Sequence, residues 1–167
     1  TLVGNAQAAL ELTVESIRQK SAGPVKLNEI QAVQMRMSAA AARIDAAYRI
    51  VRSDMGDAHL FAERNEVPST ERKFRAKRDI SFAVMLCNEA VDILAALGGA
   101  HGIYDSSPMQ RVFRDARSGA THIQFAQDMN FTSWGTVEWS TRPICELHVA
   151  GTPGDAPKRG DGGRAVC

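Results

Sequence analysis

Between Pro108 and Phe125 the chain reads PMQRVFRDARSGATHIQF, a stretch that gathers arginines, an aspartate and one histidine. Arg111, Arg114 and Arg117 recur at every third position, so on a helix they share a face. There they can pair with Asp115 and nearby carboxylates as a solvated stripe, or reach a phosphate or a carboxylate on another subunit. His122 follows the break Ser-Gly-Ala-Thr. Imidazole titrates near neutral pH, so a histidine beside a cofactor can donate or accept a proton; without one it is structural or simply exposed. Upstream, Gly98 to Gly102 reads GGAHG. No strand pattern precedes it, so it is not the dinucleotide fingerprint. It is either a helix cap and turn, or a place where backbone amides approach an anion.

Composition narrows what can position these groups. The 167 residues suffice for one domain. Hydrophobic residues make up 44% but aromatic residues only 6%, and alanine is abundant, which favours packed helices over sheet. A net charge of +1 gives no basic face for nucleic acid. No uninterrupted apolar run approaches the roughly 20 residues that span a bilayer, so no membrane partner is expected. Neither a secretory nor a transit signal opens the chain. Its first residues already read as helix without an initiating Met, so a piece of a longer protein is expected. Cys87, Cys145 and Cys167 have neither metal-ligand spacing nor an even disulfide framework, so no metal is expected. Cys87 falls in an apolar helical pattern as a buried thiol, in keeping with a reducing, cytoplasmic setting.

Helical periodicity accounts for most of the chain. Val3, Ala6, Leu10, Val14 and Ile17 mark a first helix, ended by Ser21 to Pro24. Asn28 is placed to cap a second, with a stripe at Ile30, Val33, Met37, Ala40, Ile44, Ala47 and Val51 that continues to about Arg64. Ser69 or Thr70 opens a third helix with two apolar stripes: Ile80, Val84, Cys87, Val91 and Leu94, and Phe82, Met85 or Leu86, Ile93 and Leu97. Such a helix is central to a bundle or lies between subunits. Gly98 and Gly99 end it. Ser106 or Ser107 before Pro108 starts a short fourth helix, to about Arg117. A last one is expected around His122 to Glu138, despite Gly135. The pattern predicts an all-α, antiparallel four-helix bundle over residues 1–139 and an irregular or disordered tail over 140–167, rich in Gly, Pro and charge.

The order of these pieces resembles the C-terminal helical domain of the acyl-CoA dehydrogenase fold: a helix ending in Gly98-Gly99, a loop to Pro108, then Arg114-Asp115-Ala116. Ile17 to Gln34 is similar to that family's first-to-second helix junction. Acyl-CoA dehydrogenases carry a catalytic Glu in an Glu-Gly-Thr segment soon after the Arg-Asp motif; here Gly119 to Gln124 holds none. A carboxylate base removes the acidic α-proton of an acyl thioester, so its absence argues against that reaction. His122 in this segment resembles the flavin-dependent hydroxylases on the same fold, oxygenase components of two-component aromatic monooxygenases that act on steroid-ring phenols or 4-hydroxyphenylacetate.

That resemblance implies reduced flavin, FMNH2 or FADH2, delivered by a separate flavin reductase, and a small aromatic (phenolic) substrate hydroxylated through a flavin C4a-hydroperoxide in a site that excludes water. It implies His122 as the catalytic residue near C4a, with Ile123 beside it at the cofactor. It puts Arg18 at the cofactor's phosphate side and brings Gly99, Ala100 and His101 to the flavin of a neighbouring subunit, with Arg114 and Asp115 tying helices together. A homo-oligomer, a tetramer, follows. In the family's full-length proteins two further domains hold most of the flavin and substrate, so this chain alone is expected to be inactive. The alternatives are an acyl-CoA dehydrogenase-like oxidoreductase and a non-catalytic oligomerisation fragment.

Overall fold

A computed structural model of the chain describes residues 2–99, 102 and 104–141. Five α-helices account for nearly all of them: α1 Leu2–Gln19, α2 Gln31–Glu63, α3 Thr70–Gly98, α4 Pro108–Ala120 and α5 Gln127–Thr141. A two-residue-per-strand antiparallel hairpin, β1 Ser21–Ala22 and β2 Val25–Lys26, turns the chain between α1 and α2 through Gly23 at φ +63°. The segment expected to be an irregular tail lies outside the described residues from position 142 onward, as do Cys145 and Cys167.

The helices run up, down, up, down. Arg43 pairs with Glu89 and Arg72 with Asp57, so α2 and α3 are antiparallel. Lys20 reaches the carbonyl of Gly98 while Leu2 meets Gly119, so α1 runs along α3 and against α4. These four form the expected antiparallel bundle. α3, with 29 residues, outruns the 18 of α1 and the 13 of α4. α5 covers the leftover N-terminal half of α3: Asn130 bonds Ser81, and the Arg78 guanidinium lies 4.2 Å from the Trp134 ring.

Small residues set the helix spacing. Ala6, Ala9, Ala40, Ala47, Ala83, Ala90 and Ala116 are all at most 2% exposed, around Val91 and Leu94 of α3. Alanine lets neighbouring backbones approach closely and costs no side-chain entropy on burial. On α1 the buried line is Ala6, Ala9, Thr13 and Ile17, so Thr13 rather than Val14 faces inward. The Thr13 hydroxyl donates to the Ala9 carbonyl at 2.7 Å, which is what permits a polar residue there. Ser69 caps α3 as expected, its Oγ accepting from the Arg72 amide.

Three boundaries depart from the sequence reading. Asn28 does not cap α2: Leu27–Glu29 form a 3-10 turn off the hairpin, and α2 begins after Ile30 without a side-chain cap. α4 does not stop at Arg117 but continues to Ala120. Gly119 is a crossing point rather than a breaker, since an added Cβ would lie 2.8 Å from Leu2 Cδ2. The last helix starts at Gln127, not His122, because Ile123–Phe125 form a separate 3-10 turn. α3 also contains an 18-residue stretch of mean hydropathy 1.8, long and apolar enough to cross a membrane although charges interrupt it. That stretch carries Glu89 and Asp92, paired with Arg43 and Arg117, and four helices pack on it. Its apolarity is therefore that of a bundle's central helix.

One carboxylate sits uneasily between α2 and α3. Asp54 Oδ2 is sealed from solvent without a hydrogen-bond partner among the described residues, although the rest of the side chain is only half-buried. Burial, then the charge of Asp79, push its carboxyl from 3.8 up to about 6; Asp57 adds to this, and Arg75 and Arg78 oppose it. A carboxyl raised in the folded state binds its proton more tightly there than in the unfolded chain. Folding stability therefore rises as pH falls from about 7 through 6 toward 4, and the ionised form costs stability above that window. Asp54→Asn is expected to stabilise the chain at pH 7.5 by about 1 kcal/mol after solvent screening, roughly 2–4 °C in Tm. The gain should shrink at pH 5 in paired thermal melts. A variant melting lower at pH 7.5 would show that attraction to Arg75 and Arg78 outweighs burial.

Candidate functional site

The sequence-expected site residues divide between the two ends of the bundle. At one end stand Arg18, exposed in the last turn of α1, and Gly99, at the C-terminus of α3 with φ +70°. Only glycine adopts that left-handed backbone without strain. Lys20 Nζ donates to the Gly98 carbonyl at 3.1 Å, adding a cation at the negative end of α3. Lys20 was not singled out from the sequence, because a contact across 78 positions leaves no local pattern. Ala100 and His101 lie outside the described residues.

At the other end stand His122 and Ile123. They are separated from Arg18 by the length of α1, roughly 24 Å at 1.5 Å per residue. His122 is exposed at the rim of a cleft of about 880 Å³. Ala83, Val84 and Cys87 of α3 form its floor, and Phe125 and Val51 its apolar walls. Asn5, Asp115, Ser118 and Gln124 supply polar groups around it. The close crossing of Leu2 over Gly119 closes one side.

The His122 side chain is fixed by the turn that follows it. Its Nδ1 accepts from the Gln124 amide at 3.2 Å, capping the 3-10 turn Ile123–Phe125. Its ring lies 5.8 Å from that of Phe125, tilted 54°. An Nδ1 that accepts leaves the neutral ring's proton on Nε2. Ile123 is 66% exposed next to it, free to meet a group the chain itself does not provide.

The arginine stripe divides by contact. Arg111 pairs within its own helix with Asp115 at 3.8 Å. Arg117 crosses to Asp92 of α3, with its guanidinium 5.5 Å from the Phe113 ring. Arg117, rather than Arg114 with Asp115, thus makes the tie between α3 and α4 among the described residues. Its register reaches α3, whereas Arg114 is turned toward solvent.

Residues 1–127 match the family model of the acyl-CoA dehydrogenase C-terminal domain. The chain belongs to this family. Within it, the chain is similar to the flavin-dependent monooxygenase oxygenase subunit HsaA of Rhodococcus jostii (28% identical, over 89% of this chain and 39% of that protein). It is also similar to the oxygenase component of the FADH2-dependent resorcinol hydroxylase of a Rhizobium species (30% identical, over 82% of this chain and 35% of that protein). Among solved structures, XiaF from Streptomyces, in complex with FADH2 and glycerol, superposes with a TM-score of 0.79 at 25% identity, covering 86% of this chain and 37% of XiaF. The chain therefore spans less than two fifths of the length of these proteins.

Cys87 offers a probe of the cleft floor. Burial pushes its thiol up to about 11. The reactive thiolate is correspondingly scarce at pH 8. In the folded chain its alkylation by iodoacetamide at pH 8 should be slower than in urea by roughly a hundredfold or more. Peptide mass spectrometry resolves the site, and equal rates in both conditions would show a floor open to solvent.

Proposed function

We propose that this chain is the C-terminal helical domain of a two-component, reduced-flavin-dependent monooxygenase that hydroxylates a phenolic substrate and is served by a separate flavin reductase. The observation that carries the reading is His122, held at the rim of an apolar-floored cleft where the acyl-CoA dehydrogenase pattern calls for a glutamate. The named activities of the similar oxygenases support it, and the FADH2 in the name of one and in the complex of another favours FADH2 over FMNH2.

The residues present fit such a cofactor. Small side chains at Ala83 and Val84 leave room for a flat ring, and Phe125 and Ile123 supply apolar surface that excludes water. When bound, the reduced flavin supplies the electrons that activate dioxygen for insertion into the aromatic ring. His122, with Nδ1 engaged, presents Nε2 outward and holds a proton there for delivery or return. Arg18 and the Gly99 turn lie too far from His122 to share the same ring. In this reading they meet the phosphates of a cofactor held mainly by a neighbouring subunit.

A homo-oligomer, a tetramer, is part of the proposal. Phe82, Phe131 and Trp139 are exposed around a groove between α3 and α5, with Trp139 79% exposed. A cytoplasmic setting accompanies it, in keeping with the free, buried thiol of Cys87.

Variant chemistry and assembly state test the proposal. In the full-length protein His122→Ala should leave the melting temperature within a few degrees, because the side chain is exposed. Product formed per reduced flavin consumed should fall by about 10²-fold or more, as for loss of a general acid–base group. Normal product yield by the variant, or turnover of an acyl-CoA with an artificial electron acceptor by the wild type, would refute it. Sedimentation should report dimers or tetramers at micromolar concentration; a folded monomer would refute the assembly.

A further inference from the structure

We infer that Asn130 is the positioning residue for His122, locking the turn that carries it onto the central helix; this rests on the reading of His122 as the group that moves the proton. Asn130 is on α5, eight positions beyond His122, and is only 9% exposed. Its Nδ2 donates twice, to Ser81 Oγ of α3 at 2.7 Å and to the Gln124 carbonyl at 2.8 Å. Ser81, fully buried, donates its own hydroxyl hydrogen bond to the Lys77 carbonyl at 3.0 Å. The Gln124 residue is thereby held at both its backbone polar groups. Its N–H donates to His122 Nδ1 and its carbonyl accepts from Asn130.

The consequence is mechanical. A three-residue 3-10 turn has few internal bonds of its own and frays readily. Among the described residues its hydrogen-bonded tie to α3 comes through one side-chain amide, beside the packing of half-buried Phe125; Ile123 and Gln124 are exposed and contribute little packing. The network is buried and satisfied at Asn130 Nδ2, which has two donors and two acceptors in place. An aspartate at 130 would keep size and shape but could bond Ser81 only as an acceptor, with the Ser81 hydroxyl turned away from the Lys77 carbonyl, and it would set a carboxylate oxygen against the Gln124 carbonyl. The imidazole would then lose the backbone donor that orients Nε2.

Two variants of the same network separate positioning from stability. Asn130→Asp and Ser81→Ala both weaken the buried network, so both should lower Tm. Ser81→Ala leaves the Asn130–Gln124 bond intact. Hydrogen exchange of the Gln124 amide, followed by NMR in the folded chain, should accelerate about tenfold or more in Asn130→Asp and stay near wild type in Ser81→Ala. In the full-length protein, product per reduced flavin consumed should fall by on the order of tenfold to a hundredfold in Asn130→Asp, with the substrate KM within about twofold. It should fall no further when Asn130→Asp is added to His122→Ala. Should Asn130→Asp not fold, Asn130→Ser is read by the same criteria. Unchanged Gln124 exchange in a folded Asn130 variant overturns the proposal, as does a loss of product yield no larger than that of Ser81→Ala. If instead Gln124 exchange responds as expected while His122→Ala retains normal product yield, the anchor stands and the catalytic reading of His122 falls.

Discussion

The 18-residue apolar stretch in the 29-residue α3 must be covered by its neighbours, and the burial of α3 is the constraint on which this molecule depends. A single partner helix covers one stripe. α3 is covered by four: α2 along its length, α1 and α4 over its C-terminal half, and α5 over its N-terminal half. The hydrophobic driving force is not directional, so it does not choose a register. Register comes from small residues and from Glu89 and Asp92, the two charges within the apolar stretch of α3. Alanines at the crossings let backbones close in, and Glu89 and Asp92 each pair with an arginine of a different neighbour.

The candidate site is a by-product of this covering. α1 and α4 end where α5 begins, so the middle of α3 is roofed by the turn between α4 and α5 rather than by a helix. Ala83, Val84 and Cys87, themselves buried, line the floor of the resulting cleft, and His122 is carried on its roof. A histidine in a helix would have its backbone tied into a ladder and its ring set by the helix face. On a 3-10 turn its ring can accept a backbone amide, which selects the nitrogen presented outward. The same break in covering leaves Phe82, Phe131 and Trp139 around an open groove.

Separation of the two ends has a functional meaning in the proposed reading. Arg18 and Gly99 share one end through the Lys20–Gly98 contact, and His122 occupies the other. In that reading a bundle built this way would serve two cofactor positions at once, one with protons and one with charge and exposed backbone. Gly119 to Gln124 holds no carboxylate, which in the same reading argues against α-proton removal.

Much of this was legible in the residue order. Helical periodicity located the helices, the double stripe from Ile80 to Leu97 marked α3 as central, and Ser69, Gly99 and Pro108 announced boundaries, because propensities and caps act over three or four residues. The succession of Gly98-Gly99, Arg114-Asp115 and His122 identified the family and the candidate histidine. Tertiary structure decided the rest. Gly119 reads as a breaker in sequence and is a crossing point in space, because what matters there is the side chain of Leu2, 117 positions away. Arg117, not Arg114, ties α4 to α3, because helix rotation is set by packing. Lys20 on Gly98, Asp54 sealed without a partner among the described residues, and Asn130 joining Ser81 to Gln124 leave no local signature, since each is a meeting of elements brought together only when α3 is buried.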